Sequence, residues 1–157
     1  MVPETADPFD VFGDPRGEDF SLGVEEEFFV VDASTRAPRP DADAVLARAA
    51  EPRAGVIAGE LKRSQVEVGS AVCHDLGDLH ESLVEMRQSL DRAARDVGAR
   101  IAALGTHPWA RWDDDGGVTP EAAYLDLDRM YGLLTAEQTV CGCHVHVGVR
   151  DPDLAIE

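Results

Sequence analysis

Hydrophobic and polar positions alternate sharply over residues 20–31 of the chain. Phe20, Leu22, Val24, Phe28 and Val30 fall on one side and Glu25 and Glu27 on the other, the period of two of a half-buried strand. Glu26 interrupts the apolar side. The stretch DADAVLARAAEP, 41–52, reads as a short helix opened by an Asp cap. ELKRSQVEVG, 60–69, reads as a strand with Arg63, Gln65 and Glu67 on one face and Val66 and Val68 on the other. Leu76, Leu79, Leu83, Met86, Leu90, Ala94 and Val97 then recur at spacings of three and four, one apolar stripe of a long helix. Asp75 suits its N-cap and Gly98 its C′ position. ARIAALG, 99–105, is strand-like and runs into the turn THPW. Thr119-Pro120-Glu121 announces another helix, and TVCGCHVHVGV, 139–149, closes the series as a strand. The order is strand, helix, strand, helix, strand, helix, strand, which leaves parallel or antiparallel pairing open. DPDLAIE, at the end, looks like the capped start of a further helix rather than a terminus, so the chain reads as the front part of something longer.

A chain of 157 residues with 44% hydrophobic content suits one domain with a real core. No apolar run nears the ~20 residues of a membrane helix. MVPETADPFDVFGDPRGED, 1–19, has no basic start or apolar centre, so it is not read as a secretory signal. Its composition predicts a flexible tail. Three cysteines imply no disulfide framework and fit a reducing cytoplasm.

The net charge of −17, from 31 acids and 14 bases, argues against a nucleic-acid partner, which needs a cationic surface. Such acidity can serve solubility or provide oxygen ligands for divalent cations. Side chains two apart on a strand stand roughly 7 Å apart on one face, so Glu25 and Glu27 can enter one concavity. Two ionised carboxylates repel there unless a cation lies near, and Mg²⁺ takes such ligands beside phosphates. Solvated acids guarding a sheet edge are the bland alternative. Gln65 and Glu67 repeat the period on a second strand, with Arg63 adding a cation. His144 and His146 share a face of the last strand, suited to metal ligation or hydrogen bonding to phosphate. Cys141, Cys143, His144 and His146 could suggest structural zinc, but alternation sends thiols and imidazoles to opposite faces, and a bulge would be needed.

LGVEEEFFVVD, ELKRSQVEVGS, GTHPWARW and CGCHVHVGV, in this order and spacing, resemble the ATP-dependent carboxylate–amine ligases of the glutamate–cysteine ligase type 2 family. The resemblance spans about 20–149. It implies an α+β, glutamine-synthetase-like fold: a mainly antiparallel sheet with helices on one face, incomplete here as the N-terminal portion (20–157) of a catalytic domain. It implies a ligase joining the γ-carboxylate of glutamate to the amine of cysteine, or a related pair, through an acyl phosphate, with ATP and Mg²⁺ as cofactors. By position, Glu25, Glu27, Glu67 and His144 become metal ligands, and His144 and Gln65 contact the nucleotide. His146 and Arg63 become catalytic. Glu60 opens the second motif, but its parity differs from that of Glu67. Ala123 stands where the family often has arginine before a tyrosine. Partners expected are the small-molecule substrates, together with a second copy or a complementing C-terminal polypeptide; neither membrane nor nucleic acid is expected. A non-catalytic remnant or metal-binding subunit, and a small zinc module, are the competing readings.

Overall fold

The computed structural model describes residues 20–52, 55–113, 115–149 and 153. The tail expected over 1–19, and the helix expected from DPDLAIE apart from Asp153, lie outside them. A twelve-residue strand, β1 (Ser21–Asp32), organises the rest. Along one edge it pairs antiparallel with β3 (Gln65–Gly69), from Glu25 opposite Gly69 to Phe29 opposite Gln65. β3 in turn pairs antiparallel with β2 (Val56–Gly59). The other edge of β1 is shared. Residues 21–26 pair with β5 (Cys143–Gly148), and residues 29–32 with β4 (Ala99–Ala102), both antiparallel. Among the described residues this makes one five-stranded antiparallel sheet.

Leu22, Val24, Phe28 and Val30 of β1 and Val66 and Val68 of β3 are buried on one face, as their alternation requires. Two helices cover it. The long α2 (Leu76–Asp96) contributes Met86, Leu90, Ala93 and Ala94, and α1 (Ala42–Leu46) contributes Ala42 and Val45. Each large side chain so buried contributes about 1.5–3 kcal/mol relative to exposure. Asp75 caps α2 by accepting the Asp78 backbone N–H at 2.8 Å. Gly98, at φ 72°, follows the C-cap Val97 in the left-handed conformation that reverses the chain into β4. The cover stops short of β5, whose six residues are all exposed.

Three elements differ from expectation. The pattern of the sequence does not announce β2: VIAG is too short to display a period, and two of its four residues are small. The third helix is two: α3 (Ala122–Tyr131) and α4 (Leu133–Glu137), divided at Gly132 with φ 51°. The Thr119-Pro120-Glu121 start shifts by two residues, because Thr119 donates its hydroxyl to the Glu60 carbonyl at 2.5 Å, leaving Glu121 at the N-cap. Among the described residues no helix is long and apolar enough to cross a membrane.

Candidate metal centre on the open face of the sheet

The sheet face turned away from α1 and α2 carries the acids. Register brings them together. Glu27 stands opposite Glu67 across the β1–β3 ladder, and Glu25 stands opposite His144 across β1–β5. Directly paired residues share a face, so adjacent strands deliver carboxylates from β1 and β3 and an imidazole from β5 to one place. One ligand atom each from Glu25, Glu67 and His144 lies within 4.8 Å of the others. Two carboxylate oxygens and an imidazole nitrogen are a donor set for a divalent cation. Glu25, Glu27, Glu67 and His144 also line a cavity of about 360 Å³ together with Glu60 and Gln65.

The electrostatics fit a cation. Partial burial, then the neighbouring charges of Glu60, Glu25 and Glu27, push the Glu67 carboxyl above its ordinary range. Glu25 moves the other way, chiefly through its hydrogen bond with His146. His146 Nε2 lies 3.1 Å from Glu25 Oε2, and His144 Nδ1 lies 3.3 Å from the same oxygen. Glu27 is held by the chain itself: its Oε2 accepts the Gly142 N–H at 2.9 Å, while its own N–H donates to the Gly142 carbonyl at 3.1 Å. Gly142 permits this approach, because a Cβ there would stand 3.0 Å from His144 Nε2 and 3.2 Å from Glu27 Oε1.

Glu26, the acid on the apolar side, takes no part in the cluster. Its carboxylate is gripped by Arg87 of α2, whose Nε donates at 2.7 Å and whose Nη2 bonds the second oxygen. The three consecutive glutamates therefore divide into two on the open face and one anchoring the helix beneath.

Two expected site residues are placed differently. Arg63 is not on the strand: it lies exposed in the turn before β3, away from the cavity lining, with its backbone N–H donating to the Gly117 carbonyl at 3.1 Å. The chain must turn there to bring β3 against β2, which ends the alternation that placed Arg63 beside Gln65. Gln65 does line the cavity but is almost wholly buried. Its amide nitrogen donates to the Val140 carbonyl at 2.6 Å and to Cys141 Sγ at 3.2 Å, so this donor is committed to the protein. The zinc grouping does not form among the described residues. Cys141 and Cys143 are absent from the close cluster, and burial pushes the Cys141 thiol up to about 12.

Glu60 is the member that parity misassigned. It follows β2 rather than belonging to β3, two residues beyond Ala58, the partner of Glu67, and so returns to the same face without a bulge. Tyr124 of α3 donates its hydroxyl to Glu60 Oε2 at 3.4 Å, and burial with this acidic surrounding raises its phenol to about 12. Ala123, beside it, is exposed. The GTHPW turn closes the far end of the same face: His107 packs edge-on against the buried Phe29 at 5.6 Å and against Trp109 at 5.1 Å.

A family model, Glutamate-cysteine ligase family 2 (GCS2), matches residues 21–157. The chain belongs to this family. A Saccharopolyspora erythraea protein named "Putative glutamate--cysteine ligase 2-2" is 42% identical over 140 residues, covering 87% of this chain and 35% of that protein. A Paenarthrobacter aurescens protein named "Putative glutamate--cysteine ligase 2-3" is 38% identical over 133 residues, covering 85% and 30%. The chain thus spans about a third of the length of the curated relatives it matches. Among solved structures, that of a bifunctional glutathione synthetase from Pasteurella multocida shares the fold, with a TM-score of 0.55 at 20% identity, covering 87% of this chain and 18% of that one.

Proposed function

We propose that this member of glutamate–cysteine ligase family 2 supplies the metal- and phosphate-facing wall of an ATP-dependent ligase. The reaction joins the γ-carboxylate of glutamate to the amine of cysteine, or a closely related pair. The observation that carries the reading is the convergence of Glu25, Glu67 and His144, from three strands, with their ligand atoms within 4.8 Å. In this reaction a carboxylate oxygen attacks the γ-phosphorus of ATP, ADP departs and an acyl phosphate forms. The amine nitrogen then attacks the acyl carbon, phosphate departs, and the amine releases a proton.

The first step brings a carboxylate against a triphosphate and the second releases a phosphate anion, so the principal demand is charge neutralisation. Bound at Glu25, Glu67 and His144, Mg²⁺ would supply that neutralisation. Glu27 and Glu60 add negative potential behind the site. His146, hydrogen-bonded to Glu25, holds that carboxylate ionised and oriented. Tyr124, donating its hydroxyl to Glu60 Oε2, orients that carboxylate toward the cavity. Three free cysteines and a thiol substrate both suit a reducing cytoplasm.

The test is ATP turnover with coupled product detection. ADP and γ-glutamyl product should form only when glutamate, an amine acceptor and Mg²⁺ are all present, and Glu25→Ala with Glu67→Ala should abolish them. Product that appears only after adding a polypeptide equivalent to the remaining length of the relatives would assign this chain to one half of a split enzyme. Zinc-dependent chemistry with no ATP consumption would overturn the proposal.

A further inference from the structure

Lys62 is the sole lysine of the chain, and it is buried. Its side chain is 1% exposed and that of its partner Asp115 0%, with Nζ 3.1 Å from Oδ2. A buried ion pair carries a desolvation penalty that apolar residues of similar volume avoid, so it is weak as a stability device. What it can do is fix particular points of the chain. Nζ also donates to the Ala136 carbonyl, in α4, at 2.6 Å. Asp115 Oδ2 accepts the Thr139 hydroxyl at 3.3 Å, and Oδ1 accepts the Gly117 N–H at 2.9 Å. The pair therefore grips the connection into β5 at two points, Ala136 and Thr139. Gln65 takes the Val140 carbonyl next. The Cys141 N–H donates to Gly105 O at 3.0 Å and the Gly142 N–H to Glu27. His144 follows two residues later.

β5 needs such a guide. Its ladder partner is β1, its residues are all exposed, and Val145 and Val147 bury too little to select a register. A slip of one residue would send His144 and His146 to the opposite face. We propose that the Lys62–Asp115 pair is a positioning device that sets the register of β5, and thereby delivers His144 to Glu25 and Glu67. Its metal-binding consequence rests on the function proposed above; its structural content does not.

The experiment uses the full chain and the Lys62→Met/Asp115→Leu double variant, which leaves no orphan charge. Cross-strand NOEs between Glu25 and His144 report register, and titration with Mn²⁺ alone reports the site. The expected result is a cooperatively folded variant whose Glu25–His144 NOEs are lost or doubled and whose Mn²⁺ affinity falls about tenfold or more. A folded variant with parental NOEs and affinity overturns the proposal. Should the double variant fail to fold, Thr139→Val severs one grip with the ion pair intact. It should double the same NOEs, and an unchanged NOE pattern there is equally fatal. If the parent chain binds no Mn²⁺, the metal reading fails on its own, while the NOEs still decide the register claim.

Discussion

His146 Nε2 and His144 Nδ1 converge on the same oxygen of Glu25, at 3.1 and 3.3 Å. This contact, with His146 the larger cause, holds the Glu25 carboxyl below its ordinary value of 4.5. His146→Ala should let Glu25 titrate closer to that value, as followed by carboxyl ¹³C NMR. A depressed carboxylate contributes stability that is complete above the unfolded value and lost as pH falls through the folded one. The stability gap between parent and variant should therefore be fully present above the unfolded value of 4.5 and close as pH falls through the lowered value of the folded state. An unaltered Glu25 titration would show that the imidazole does not hold it.

Adjacent glutamates should give opposite phenotypes. Glu26 is paired with Arg87 and is mostly covered, while Arg87 is about half exposed, so Glu26→Ala should cost about 1 kcal/mol in denaturant unfolding with divalent-cation affinity unchanged. Glu25→Ala should lose only the small contribution of the exposed histidine contacts, and lower Mn²⁺ affinity about tenfold or more. Equal loss of affinity in both variants would contradict the division of the EEE run between two faces.

Alternation alone revealed that division, because a regular strand admits no other arrangement of Glu25, Glu26 and Glu27. It also located Glu67 and the two histidines on compatible faces. The pairing came from the family resemblance rather than from periodicity, since parallel and antiparallel strands display the same period. Partners distant in sequence stayed hidden: Arg87 lies 61 residues from Glu26, and nothing in a helical stripe marks which arginine meets the sheet. The errors at Glu60 and Arg63 share one cause. Treating residues 60–69 as a single strand ignored a turn, and a turn resets parity. Alternation puts Gln65 on the cavity face, where it lies, but its amide donates to the Val140 carbonyl, a contact invisible without the fold.

Gly142 is expected to tolerate no side chain without loss of function. An alanine Cβ would crowd the His144 ring at 3.0 to 3.2 Å and the Glu27 carboxylate at 3.2 Å, so both must shift by a few tenths of an ångström. Gly142→Ala should fold with a penalty of about 1 kcal/mol. Its His144 ring resonances should move and its Mn²⁺ affinity should drop severalfold. Retention of parental resonances and affinity would mean that the backbone approach at Gly142 has no bearing on the site.

Glu67 offers the sharpest separation of stability from function. Its carboxyl is raised by burial and by Glu60, Glu25 and Glu27, so the fold favours the protonated form. As pH climbs from the unfolded value of 4.5 through the raised one, the folded state loses stability relative to the unfolded, and the cost persists at neutral pH. Glu67→Gln keeps the shape and removes the charge. It should melt above the parent at neutral pH, with the difference vanishing below the unfolded value of 4.5. Adding Mg²⁺ should reverse the order, because a ligand that binds only the folded state stabilises the protein that binds it better. Thermal melts of both proteins across pH, with and without Mg²⁺, measure all of this. A variant no more stable than the parent at neutral pH would show that the fold does not raise the Glu67 carboxyl, and a variant equally stabilised by Mg²⁺ would remove Glu67 from the cation site.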